Sequence, residues 1–181
     1  MRRMIAVALT FLGMSAIAWA QDDYGGQLGI TLPGEPWTLG FDMKDFKQLK
    51  ANRLEADGRW HMLAENRKAK LTLTVYLERV EGKATAAGCK EIQNRHSEEN
   101  LDDKRENLRT REVNGMVIME FTIAGAGRTM PQRNVFACIP KDDVYVDIHL
   151  TKILHRPDDD QVLADILNSA TFIPMASRPR Q

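Results

Sequence analysis

The chain has 181 residues, and its 25 lysines and arginines balance 25 aspartates and glutamates. It shows no clustered basic excess of the kind that nucleic-acid binding demands. Two cysteines exclude a disulfide-dense scaffold, and a hydrophobic content of 43% is enough to build a core of ordinary size.

The amino terminus carries Arg2 and Arg3, an apolar run from Met4 to Ala18, and the close Ala18-Trp19-Ala20. A positive start, an apolar middle and small residues around one large residue are the three parts of an export signal. Residues 1–20 are therefore expected to be a cleavable signal peptide, cut between Ala20 and Gln21. The competing reading is a membrane anchor, but the run is shorter than the roughly 20 residues that span a bilayer. No later segment is long and apolar enough to insert, so no stable membrane insertion is expected after cleavage. Residues 21–26 read as a flexible lead-in, 27–174 as a single domain and 175–181 as a flexible tail.

Within the domain, alternation of period two dominates. Leu28, Ile30 and Leu32, then Trp37, Leu39 and Phe41, flank Pro33-Gly34-Glu35-Pro36, which predicts two short strands around a turn. Phe46 to Ala56 and Arg59 to Asn66 flank Asp57-Gly58, a hairpin signal. Lys70 to Val80 is the clearest strand: Leu71, Leu73, Val75 and Leu77 face one way, Thr72, Thr74 and Tyr76 the other. From Thr85 to about Lys104 alternation stops, and Cys89, Ile92 and His96 fall at helical spacing. Asn107 to Val113 and Met116 to Ala124 flank Asn114-Gly115, the strongest short hairpin cue. Residues 125–132 read as a loop. Arg133 to Ile139 and Val144 to Lys152 then pair around residues 140–143. Asp158 to Asp160 start a second helix bearing Val162, Leu163, Ile166 and Leu167, and Phe172-Ile173-Pro174 closes the domain. The sum is an α+β domain: a predominantly antiparallel sheet of about six to nine strands with two helices packed on it.

Both cysteines, Cys89 and Cys138, lie in the exported part, and an even count in an oxidising compartment favours a disulfide over two buried thiols. Registering the last hairpin on a four-residue turn pairs Ile139 with Val144 and gives one wholly apolar face. The opposite face carries Cys138, Phe136, Asn134, Tyr145, Asp147 and His149. A Cys89–Cys138 bond places the first helix over that second face and leaves Asn134, Tyr145, Asp147 and His149 as candidate ligand-binding residues at its edge. Asp147 and His149 share one side of a strand roughly 7 Å apart. That spacing suits an oriented histidine or two metal ligands, and a solvated structural face equally well.

Other candidates have simpler explanations. Arg109 and Glu120 fall opposite each other as a cross-strand ion pair. His61, His96 and His155 are scattered, and Gly125-Ala126-Gly127-Arg128 opens no helix and so makes a poor phosphate cradle. Trp37 and Trp60 read as core anchors rather than a carbohydrate platform. No catalytic residue, metal site or cofactor loop is recognised.

Trp37-Thr38-Leu39, Leu71 to Leu77, Val144 to Leu150 and a terminal helix followed by Phe172 together give a layout that resembles the PsbP/Mog1-like exported domains. It also resembles bacterial exported domains of unknown function. The PsbP/Mog1 resemblance implies an antiparallel sheet flanked by helices, in a module that binds or assembles. The expected function is thus an exported, non-catalytic binding or accessory domain with an unknown protein or small-molecule partner. The rivals are a small hydrolase or metal-dependent enzyme using Tyr145, Asp147 and His149, and a carrier of a small apolar ligand.

Overall fold

The computed structural model describes residues 27–43, 45–98, 105–125 and 128–175. The expected signal peptide, the lead-in and all of the tail except Met175 lie outside them. Five strands come first: β1 (Gln27–Ile30), β2 (Trp37–Asp42), β3 (Lys47–Leu54), β4 (Trp60–Asn66) and β5 (Leu71–Arg79). Helix α1 (Ala86–Glu98) precedes β6 (Arg105–Val113), β7 (Met116–Gly125), β8 (Arg128–Lys141) and β9 (Val144–Ile153). Helix α2 (Asp159–Asn168) and β10 (Thr171–Pro174) complete the order. Among the described residues the strands form a seven-stranded sheet, β3-β4-β5-β9-β8-β7-β6, and a three-stranded sheet, β1-β2-β10. Every pairing is antiparallel.

The large sheet is two-sided, and its alternation decides which side is which. Leu71, Leu73, Val75 and Leu77 meet Val146, Ile148, Leu150, Val135 and Ala137 on one face. Leu39 and Phe41 of β2 and Leu163, Ile166 and Leu167 of α2 join the same buried cluster. Trp37 belongs to it as well and meets Phe172 edge-on at 5.0 Å, so this tryptophan is a core anchor. Trp60 packs against the cluster from its margin. The small sheet is one the sequence analysis did not separate, because β2 pairs with β10, about 130 residues further on (Leu39 opposite Phe172).

The connection from β5 to β6 explains where α1 lies. β5 is in the middle of the sheet and β6 is at its edge, so the chain must cross β9, β8 and β7, and α1 makes that crossing. The helix packs on β8 and β7. Cys89 and Cys138 are bonded, with their Cα atoms 5.4 Å apart, as expected. Gln93, 1% exposed, donates from Nε2 to the carbonyls of Val117 and Phe136 and so fastens the helix to two strands.

Two expectations need correction. The β8–β9 turn has two residues, Asp142 and Asp143, with Asp142 at φ 55°, so Ile139 pairs with Val146 rather than Val144. A slip of two residues leaves every side chain on its expected face. Pro140 extends the strand because β7 pairs with β8 only as far as Cys138, so the missing N–H faces no partner there. The expected loop at 125–132 is mostly strand, since β8 begins at Arg128. Pro131 is tolerated beside a register shift between Ile123 and Gly125, beyond the end of the β8–β9 ladder.

Candidate functional site

On the α1 side of the large sheet, the helix covers β7 and β8 and stops short of β5. A cleft of about 570 Å³ remains between them. Thr74, Tyr76 and Glu78 of β5, Asp147 and His149 of β9 and Phe136 of β8 form its floor. Ile92 and Arg95 of α1 form one wall, and Asp57 and Arg59 of the β3–β4 turn form the other. Pairing of Thr74 with His149 and of Tyr76 with Asp147 sets these four side chains in a block on one face.

His149 is held by its neighbours. Its ring stacks on Phe136 at 3.9 Å, and Phe136 stacks in turn on Phe121. His149 Nε2 lies 3.3 Å from Asn134 Oδ1 and 3.1 Å from Thr151 Oγ1. Asn134 Oδ1 also accepts from Gln132 Nε2 and Thr151 Oγ1, so an Nε2–H donating histidine completes this group. Asn134 is thus a buried positioning residue beneath His149, while Asp147, 6% exposed, reaches the cleft floor itself.

Tyr76 is held by the stacked ring of His61 at 4.5 Å and by the guanidinium of Arg59, 4.4 Å from its ring centre. Burial pushes its phenol up from the ordinary value, which keeps it neutral. The Arg59 side chain bonds Asp57 and holds that carboxyl below its usual range. His61 Nδ1 bonds Glu55 Oε1 at 2.8 Å, and that hydrogen bond lowers Glu55. His155 pairs with Asp160, and the His96 side chain lies outside the described residues.

Of the predicted residues, Asp147 and His149 line the cleft and Asn134 supports it, but Tyr145 is elsewhere. Its hydroxyl accepts from the Thr85 backbone N–H at 3.3 Å and lies directly under Gly88 at the start of α1. Tyr145 therefore seats the helix and is not among the residues that line the cleft with Asp147 and His149. Among the described residues, no group of three His, Cys, Asp or Glu side chains could hold a metal ion. Arg59, Tyr76, Ile92 and Arg95 escaped sequence reasoning. Tyr76 carried a signal in its place on the outward face of the clearest strand, and Ile92 in its helical spacing from Cys89.

Arg109 does face Glu120, and Arg111 and Arg133 converge on the same carboxylate. Burial alone would raise Glu120, but the hydrogen bonds from Arg109 and Arg111 and the charge of Arg133 bring it below its usual value. Residues 126 and 127 of the glycine-bearing segment lie outside the described residues. Among those described, no helix is long and apolar enough to cross a membrane.

No family model and no curated protein matches the chain. Among solved structures, it is similar to the solution structure of cyanobacterial PsbP (CyanoP) from Synechocystis sp. PCC 6803. The match has a TM-score of 0.51 at 9% identity and covers 91% of this chain and 97% of that one. The PsbP-like layout is therefore shown, and at this identity the likeness is one of fold alone.

Proposed function

We infer that the protein is an exported, non-catalytic binding domain that holds a small polar molecule in the cleft between α1 and the large sheet. The observation that carries this reading is the cleft itself. A volume of about 570 Å³ lies within the usual range for small-molecule pockets, and its polar groups converge from four separate parts of the chain. Asp147, Tyr76, His149 and Arg95 offer an acceptor, a neutral phenol, an imidazole and a cation around one space. That charged lining favours a polar ligand over the apolar one of the carrier alternative.

Export rests on the Arg2-to-Ala20 signal pattern, and the Cys89–Cys138 bond accords with an oxidising compartment. The hydrolase and metal-enzyme alternatives lose support because Tyr145 is not among the cleft's lining residues and its hydroxyl is engaged by the Thr85 N–H.

Native mass spectrometry of gently purified protein tests the proposal. The expected result is a small-molecule adduct on the natural chain that is lost when Asp147→Asn is combined with Arg95→Glu. A clean unliganded mass for the natural chain, or an adduct that survives both substitutions, would overturn it.

A further inference from the structure

A second cleft, of about 340 Å³, lies at the end of the large sheet where the β4–β5 turn meets the segment between β9 and α2. Its lining divides into two kinds of side chain. Ala69, Leu71, Leu154 and Val162 are apolar, and Val162 is 44% exposed on the outer side of α2. Lys68, Lys70, Lys152 and Arg156 are cationic, and Asp159 is the one acid among the described lining residues.

The acid is already committed. Asp159 Oδ2 accepts from the Arg156 backbone N–H at 2.8 Å and lies 3.4 Å from Lys152 Nζ. Lys152 is only 8% exposed and also donates to the Ile153 carbonyl, so its charge is balanced within the fold. Lys68, Lys70 and Arg156 have no carboxylate within ion-pair distance among the described residues. Three cations that share a cleft repel one another, and an anion placed between them relieves that repulsion. The helix start adds little, because Asp159 and Asp160 already occupy the first turn of α2.

The backbone holds this arrangement in place. Lys70 at φ 55° and Leu154 at φ 59° both sit in the left-handed region, and the Ile153 N–H donates to the Lys70 carbonyl at 3.1 Å between them. The two segments are thus locked side by side, with cations and apolar side chains on the same short stretch.

We propose that this cleft is a binding site for a soluble organic anion that carries an apolar group beside a phosphate or carboxylate. Arg156 supplies a planar fork for the anion, and Lys68 and Lys70 supply point charges. Leu154 and Val162 cover the apolar group. The site is separate from the cleft under α1 and shares no residue with it, so either can fail without the other.

Titration of the isotope-labelled, disulfide-bonded protein with octyl phosphate, inorganic phosphate and octanol, followed by amide NMR, tests this. Octyl phosphate is expected to shift residues 68–71, 152–156 and 162 and to bind about tenfold or more tighter than either other probe. The exposed pair Lys70→Gln and Arg156→Gln should weaken octyl phosphate by about tenfold or more while the amides under α1 stay in place. Glutamine at position 70 meets the same backbone demand as lysine, so loss of binding will not report unfolding. Equal binding of inorganic phosphate, or unchanged binding in the double variant, overturns the proposal. So does sedimentation with phosphatidylglycerol vesicles when monomeric octyl phosphate leaves the spectrum unchanged.

Discussion

Gly88 stands where α1 crosses the hydroxyl of Tyr145, and a Cβ there would overlap that oxygen. The Gly88→Ala variant must push the helix or the ring aside, which should cost about 1–3 kcal/mol, read from the urea midpoint. A different residue-scale test concerns Glu120, on which Arg109, Arg111 and Arg133 converge. Its folded pKa is depressed, so its contribution is present above the unfolded value of about 4.3 and is lost as pH falls through the lower folded value. The Glu120→Gln protein should therefore be less stable than the natural one near neutrality, with the gap closing as pH drops below 4. Urea unfolding from pH 7 to pH 3 measures that gap, and a gap that widens toward acid would contradict the assignment. Arg109 and Glu120 were legible as a pair because hairpin register follows from Asn114-Gly115. Arg133 was not legible, since it reaches the same carboxylate from the next strand.

At the scale of elements, α1 is fastened by the Cys89–Cys138 bond and the buried amide of Gln93, and it is seated on Tyr145. Replacing Cys89 and Cys138 by serine opens a loop spanning 49 positions and should cost about 4 kcal/mol on chain-entropy grounds. Hydrogen exchange should speed up first in α1, ahead of β5 and β9, and uniform protection across helix and sheet would contradict a helix anchored chiefly through sulfur. The helix and its cysteine were readable from spacing, because Cys89 and Ile92 recur on one side of it. Gln93 was not, since a polar residue on a charged helix reads as solvated, and only the carbonyls of Val117 and Phe136 make its burial tolerable. Strand faces were readable because a slip of two residues in the β8–β9 register leaves the period unchanged. The split into two sheets was hidden, because β2 pairs with β10 across nearly the whole domain and no local pattern encodes so distant a partner.

For the whole molecule, the topology creates the site. A helix that must cross from β5 to the far edge covers β8 and β7 and leaves the floor between β5 and β9 uncovered. Most of that floor was legible: the alternation of Asp147 and His149 placed them on the α1 face, and Thr74 and Tyr76 were already assigned to the outward side of their strand. That the two pairs stand opposite each other depends on β5 lying beside β9, a long-range pairing that no local pattern encodes. Arg59 and Arg95 come from a turn and a helix, where nothing in sequence marks a residue as facing a cleft. Tyr145 shared the face of Asp147 yet lies under the helix, because it is one step nearer the turn where α1 begins.

Amide NMR of the labelled protein against a library of small polar fragments puts this account to its most direct test. The cleft under α1 should collect the hits, with shifts centred on Arg59, Tyr76, Ile92, Arg95 and Asp147 and little change in β1, β2 or β10. Fragments that perturb the β3 or β6 edges and leave those five amides still would contradict it.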